Sequence, residues 1–449
     1  MDNMEATLQS LRISSLAGSD RGQLDLSSTI KFDINNIAAG GGTADIESAL
    51  RHAWKQLRFE QPHLASGIRG NSKFVYQVPA DDSAMEEWLR QTFIVQSTAP
   101  SANEACRSPS LKAVKIPTLT YIPKSSELMF RVDHCRTDGV GVMLFWHSYL
   151  TALTRPKKDQ DIVFDGTESC RLPPPRGKAG EVKGLFPSPE QITSEQAEKL
   201  ERFYAEYAKA LPGIGPVRKA GTGVLPGPCG NEKIILPADM TGAIIKTCKE
   251  NGVSVTSGVH AAILMGLVKY ADPATSKESN YTTLTYANLR SYLPSPYNTS
   301  QYAVALYYAC YAFTTRVPSM FWDAVDAFET HYKSHVRNPE TVELADHHGR
   351  HYVAVLQGSS RSNTDPSLSS WGIVERYCQR SYGGDSVHVN VQDLKAAADI
   401  ATGAFGLIIV YTFRGQLHLT YNFNEAFEEP VRVRAHLDEV KKILGEELV

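Results

Sequence analysis

The chain carries no Cys-x-x-Cys pair, and its seven cysteines (Cys106, Cys135, Cys170, Cys229, Cys248, Cys310 and Cys378) are odd in number and scattered. That excludes a disulfide framework and points to reduced thiols. Charge of one sign is also missing. Against 49 Asp and Glu stand 46 Lys and Arg, a formal net charge of -3, too little for broad attraction to nucleic acid or an anionic membrane surface. No arginine-rich stripe interleaved with aromatics is present, which sets nucleic-acid binding aside. No apolar run reaches membrane-spanning length; the longest, near Val259 to Val268, reads as a buried helix. Met1 to Ser10 is polar, with Asp2 and Glu5 and no apolar stretch behind a basic end, so no secretory signal is expected. A cytoplasmic monomer with no nucleic-acid and no membrane partner is the expectation.

Cofactor and metal motifs are equally sparse. Gly40-Gly41-Gly42 precedes a helix but lacks a lysine at phosphate-loop spacing, so it reads as a turn. Asp346-His347-His348-Gly349-Arg350-His351 could set His347 and His351 on one helical face, yet no nearby Cys or Glu completes a tetrahedral set. The reading there is polar surface or lobe contact, and no metal is expected. Cys135 adjoins His134, but consecutive strand-end residues point to opposite sides and make a poor catalytic dyad, so Cys135 reads as buried structure.

What is present is length and layered pattern. At 449 residues the chain exceeds what one hydrophobic core serves, which predicts two lobes. Thr43 opens a helix with Ile46, Leu50, Ala53 and Leu57 at helical spacing, stopped near Pro62. Lys73 to Val78 and Leu119 to Ile122 read as short strands. From Pro156 to Cys229 the composition shifts to proline, glycine and lysine, a connector holding one exposed, charged helix at Ser194 to Leu211. The second half predicts a helix from Val255 to Tyr270. Its strands are expected at Lys233 to Leu236, Tyr281 to Asn288, Ala303 to Thr314, Val387 to Val391, Gly406 to Phe413 and Leu417 to Phe423, before a closing helix from Pro430. The division is 1–160 for the first lobe, 161–230 for the crossover linker and 231–449 for the second lobe, each lobe an α/β layer of mixed sheet and helices.

One segment carries chemistry. Leu128, Phe130 and Val132 alternate on one strand face, and His134 falls next on that face, before Asp138-Gly139 opens an amphipathic helix with Val140, Leu144, His147 and Leu150 or Tyr149 inward. A histidine projecting from a strand end into a cleft is a base that titrates near neutrality. Acyl transfer to a hydroxyl needs such a base, and a donor group to hold charge on the carbonyl oxygen. Asp138 is placed to pin the turn, and Gly139 keeps a β-carbon out of the pocket.

His134-Cys135-Arg136-Thr137-Asp138-Gly139 resembles the HxxxDG signature of the chloramphenicol acetyltransferase-like superfamily. That superfamily holds BAHD acyltransferases, nonribosomal peptide condensation domains and fungal trichothecene O-acetyltransferases. Further stretches are similar in order and spacing across most of the chain: Ala53 to Arg58 with Gln61 to Leu64, Val253 to Thr256 with Ala261-Ala262, Tyr286 to Arg290, and Gly415 to Leu417 with Tyr421-Asn422. The nearest branch is the trichothecene 15-O-acetyltransferase type of fungal secondary metabolism. Two features depart from other branches. Asp133 stands where condensation domains carry a first histidine, and the plant DFGWG segment is absent, Ser369-Ser370-Trp371-Gly372 being the nearest remnant.

The resemblance implies two chloramphenicol acetyltransferase-like lobes with an active-site channel between them and His134 midway along it as general base. It implies that Asp138 turns from the cleft to pair with Arg290, and it leaves the oxyanion donor open among Asn298, Ser370 and Trp371. The implied partners are an acyl-CoA donor, acetyl-CoA first, as co-substrate rather than bound cofactor, and a small apolar alcohol as acceptor. Two alternatives belong to other classes: a carrier-protein-dependent acyltransferase or condensation-like cyclase, and a non-catalytic binding protein that keeps the fold.

Overall fold

Two six-stranded sheets organise the chain, which a computed structural model describes over residues 25–35, 43–69, 73–107, 113–219, 227–271, 280–358, 363–383, 387–400 and 405–449. The turn expected at Gly40-Gly41-Gly42 lies outside the described residues. In chain order the strands are β1 (Leu26–Asn35), β2 (Gly67–Arg69), β3 (Lys73–Val75), β4 (Phe93–Val95), β5 (Thr118–Ile122), β6 (Glu127–Val132), β7 (Cys229–Leu236), β8 (Asn280–Asn288), β9 (Tyr308–Arg316), β10 (Ser367–Ile373), β11 (Ser381–Gly383), β12 (His388–Ala398), β13 (Leu407–Phe413) and β14 (Gln416–Asn424). The first sheet runs β11-β12-β1-β6-β5-β4, the second β7-β14-β13-β10-β8-β9, and β2 with β3 forms a separate ribbon.

Strand β6 is buried along its whole length because β1 and β5 flank it, both antiparallel. Its Leu128, Phe130 and Val132 enter the main core, while Met129 on the opposite face packs with Ala102 and Ile122. Helix α1 (Thr43–Glu60) lies over the sheet with α2 (Gly139–Thr154), where Phe130 stacks on Phe145 at 3.6 Å and Trp54 meets Phe145 edge-on at 6.1 Å. The amphipathic reading of α2 is corrected here. Val140, Val142, Met143, Phe145, Trp146 and Tyr149 are all buried, so the helix is covered nearly all round between the first sheet and the second lobe.

Two other expectations fail for long-range reasons. Strands β11 and β12 come after residue 231 yet belong to the first sheet, where β12 pairs with β1 from Leu26↔Ala398 to Asn35↔His388. The second lobe therefore is not the whole of 231–449. Helix α3 (Ser194–Ala210), read as an exposed part of the linker, instead buries the stripe Leu200, Tyr204, Tyr207 and the following Leu211 against Leu284 of β8 and Ala312 of β9.

The second core is built around α4 (Val255–Tyr270), which packs between α5 (Phe321–His331) and the C-terminal helix, while α6 (Ala345–Gly358) packs on β9 and α3 and the C-terminal helix is α7 (Pro430–Leu448). Gly266 permits the close approach of α7, because a β-carbon there would stand 3.1 Å from the His436 ring. Among the described residues no single helix is long and apolar enough to cross a membrane.

Candidate active site

The turn that leaves β6 is held by a buried cation that the sequence reading missed. Arg136 is wholly buried. It pairs with Asp133, and its Nη1 donates to the His63 carbonyl at 3.1 Å and to Ser66 Oγ at 2.8 Å. A guanidinium with several fixed donors suits a tight turn that must be locked in one geometry. The signal was present in the motif itself, since an arginine in an apolar context needs partners.

Asp138 caps α2, accepting from Gly141 N at 2.8 Å. Its two carboxylate oxygens also receive Arg290 Nη1 at 2.6 and 2.7 Å, and Oδ2 receives Tyr307 N at 2.8 Å. Arg290 spends its Nη2 on the Ala305 carbonyl at 2.7 Å, and Thr137 Oγ1 donates to the Ala303 carbonyl at 2.9 Å. The turn of the first lobe is thus latched to the segment that leads into β9 of the second. Gly141 lies inside the latch, where a β-carbon would overlap Thr137 and crowd the Ala303 carbonyl.

His134 follows β6 at this junction, with its ring centroid 5.4 Å from that of Tyr308 on β9. Nδ1 is enclosed with no hydrogen-bond partner, so Nε2 is the nitrogen left to meet a substrate. Loss of solvation lowers the imidazole pKa below its ordinary value. The backbone of His134 and Thr137 and the carboxylates of Asp138 and Asp133 oppose that shift without cancelling it. The ring is therefore neutral, and able to accept a proton, at neutral pH.

The second lobe brings Trp371 against this turn. A β-carbon on Gly139 would overlap the Trp371 indole, so the glycine is required by close packing. Trp371 Nε1 donates to Ser369 Oγ at 3.2 Å, and Ser369 is the polar neighbour that sequence reading passed over. Ser370 points the other way, exposed, with its hydroxyl 3.0 Å from Thr256 Oγ1. Asn298 lies exposed in the turn after Tyr297, and no described contact joins it to His134. Asn298 and Ser370 are thus both exposed, whereas an oxyanion donor works from an enclosed site. Cys135 is buried.

The histidines of α6 are not polar surface. Asp346, His347 and His348 are buried, Asp346 pairs with Arg176, His347 Nε2 contacts the Pro187 carbonyl at 3.0 Å, and His348 Nδ1 contacts Tyr204 Oη at 3.1 Å. Their polar atoms thus serve helix packing. Among the described residues no three His, Cys, Asp or Glu side chains converge as a metal site.

No family model matches the chain. Two fungal proteins of Monascus ruber are similar along most of their length. The O-acetyltransferase pigM is 28% identical over 413 residues, covering 90% of this chain and 77% of that protein. The acetyltransferase pigO is 28% identical over 425 residues, covering 93% and 89%. Among solved structures, the trichothecene 15-O-acetyltransferase of Fusarium sporotrichioides superposes with a TM-score of 0.80 at 17% identity, covering 99% of this chain and 95% of that one. The chain has the fold of the chloramphenicol acetyltransferase-like superfamily and is an acyltransferase. In this acyltransferase the HxxxDG turn is a segment where both lobes meet, held by Arg136 from one side and Arg290 from the other.

Proposed function

We propose that the protein is an acyl-CoA-dependent O-acetyltransferase acting on a hydroxyl of a small, largely apolar secondary metabolite. The observation that carries this reading is His134: an imidazole kept neutral by burial at the lobe junction, on a turn that is latched on both sides. An alcohol is a weak nucleophile until its proton is removed as attack begins, and one positioned histidine supplies that. His134 Nε2 takes the hydroxyl proton while the oxygen attacks the thioester carbonyl. The tetrahedral intermediate then collapses, the C–S bond breaks, and the departing thiolate recovers the proton from the imidazolium. Transfer is direct within a ternary complex. Ser369, whose hydroxyl accepts the Trp371 N–H and keeps its own O–H to donate, is assigned to the carbonyl oxygen, with Trp371 as the residue that positions it.

The names of the relatives support an acetyl group and a hydroxyl acceptor. Incubation with acetyl-CoA and a panel of hydroxylated polyketides and terpenoids, followed by free-thiol detection and mass spectrometry, tests both. Acetyl ester formation is the expected result. Turnover only with a carrier-bound acyl group, or only with amines, would assign the chain to a different chemistry.

The environment of His134 also sets the pH profile. Because burial lowers its pKa, the base stays unprotonated below the ordinary histidine range, and activity persists further into acid than a solvated imidazole allows. The acid limb of kcat/KM should have its midpoint below about 6.5. A midpoint at or above that value would mean that the group controlling the rate is not the buried His134.

A further inference from the structure

The register of β8 and β9 sets Cys310 opposite Tyr286 and Tyr308 opposite Asn288, and the period of two places all four on one face of the second sheet. Tyr308 begins this face at His134, and Tyr286 follows with its ring 6.1 Å from that of Tyr308. Over the face lie α3 and α6, bringing Tyr207 and Tyr352, whose rings are 6.2 Å apart. Tyr286 and Tyr352 both pack against the apolar cluster that holds Tyr207.

Two properties distinguish this cluster from ordinary core. Tyr286, Tyr308, Cys310 and Tyr352 keep accessible surface although they lie deep within the lobe, as side chains around an internal chamber do. Their hydroxyls are also under-used. Those of Tyr308 and Tyr352 make no hydrogen bond to protein, and Tyr207 Oη is buried with none. A buried phenol almost always finds a partner. Here Tyr308 and Tyr352, both part-exposed, leave their hydroxyls without one.

We propose that α3, the linker helix, roofs an acceptor chamber that opens at His134, and that Tyr308 and Tyr352 select a flat, conjugated acceptor carrying a carbonyl oxygen besides the hydroxyl that is acylated. Aromatic walls favour a planar apolar body, and free phenol O–H groups supply donors for which a ketone is the complementary acceptor. The substrate class rests on the reading of His134 as the base, whereas the recognition does not require turnover and can be measured alone.

Calorimetric titration of the full-length protein with two bicyclic phenols separates these. The probes are hydroxytetralone, which has a ring ketone, and tetrahydronaphthol, which lacks it. One neutral hydrogen bond gained in a buried site corresponds to roughly threefold to tenfold in affinity, so the wild type should prefer hydroxytetralone by that factor. Tyr308→Phe and Tyr352→Phe should each reduce the preference. Neither should lower the melting temperature, since no protein hydrogen bond is lost. His134→Ala should retain the preference while losing turnover. Equal binding of the two probes by the wild type, binding of neither, or an unchanged preference in both phenylalanine variants would overturn the chamber. So would a fall in melting temperature with uniformly weaker binding, the signature of a structural role. If the phenylalanine variants behave as expected while His134→Ala keeps its rate, the chamber stands and the assignment of the base falls.

Discussion

Replacing His134 by alanine is expected to lower the acyl-transfer rate by about 10² to 10⁴, the usual contribution of a positioned general base, with folding intact. The structure explains why stability should be spared. The imidazole Nδ1 has no hydrogen-bond partner, and the ring packs near that of Tyr308. The turn is fixed instead by Arg136 on Asp133, His63 and Ser66 and by Asp138 on Arg290. Removing the ring therefore leaves no charge unpaired and no donor stranded. The measurements are kcat with acetyl-CoA and an accepted alcohol, and the melting temperature of the same sample. A variant that retains more than roughly a tenth of the wild-type rate, above the range for loss of a base, would exclude His134 from proton transfer.

The chemistry of the turn was legible because it is local. A strand of alternating Leu128, Phe130 and Val132 running into His134, with Asp138 and Gly139 at a helix start, places the base within a dozen residues of sequence. The pairing of Asp138 with Arg290 came from family resemblance, and the structure contains that ion pair at 2.6 Å. What local pattern could not reveal was assembly. Strands β1 and β12 are adjacent in the sheet but more than 350 residues apart, as in Ser28 with Lys395, and no periodicity within either names the other. The role of α3 was recoverable. Leu200, Tyr204, Tyr207 and Leu211 recur at helical spacing, but the many charges between them drew the reading toward an exposed helix. Ser369 was hidden for a different reason. Trp371 sits at a bulge in the pairing of β10 with β13, so simple alternation along β10 does not say which serine shares its side.

Asp138→Asn is expected to cost about 3 to 5 kcal/mol of stability, the usual result of stranding one partner of a buried ion pair, and to reduce the rate as well. Asp138 and Arg290 are both nearly inaccessible to solvent. The carboxylate accepts from Arg290, Gly141 N and Tyr307 N, so all of its surroundings are donors. An asparagine would turn an N–H₂ toward one of these donors and leave the guanidinium without its counter-charge. Since these contacts join the His134 turn to the second lobe, the turn loses its fixed direction along with its stability. Asp138 is thus a positioning residue, and two readouts separate that from plain structural support. In a double-mutant cycle, Asp138→Asn combined with Arg290→Gln should be less destabilised than the sum of the single changes, because the stranded charge is gone. The double variant should nevertheless remain slow, because stability is regained without the latch that aims His134. Urea unfolding and kcat measured on the same four proteins decide it. Loss of less than about 1 kcal/mol in Asp138→Asn, well under the range for a broken buried pair, with an unchanged rate, would mean that the latch neither holds the lobes nor directs the base.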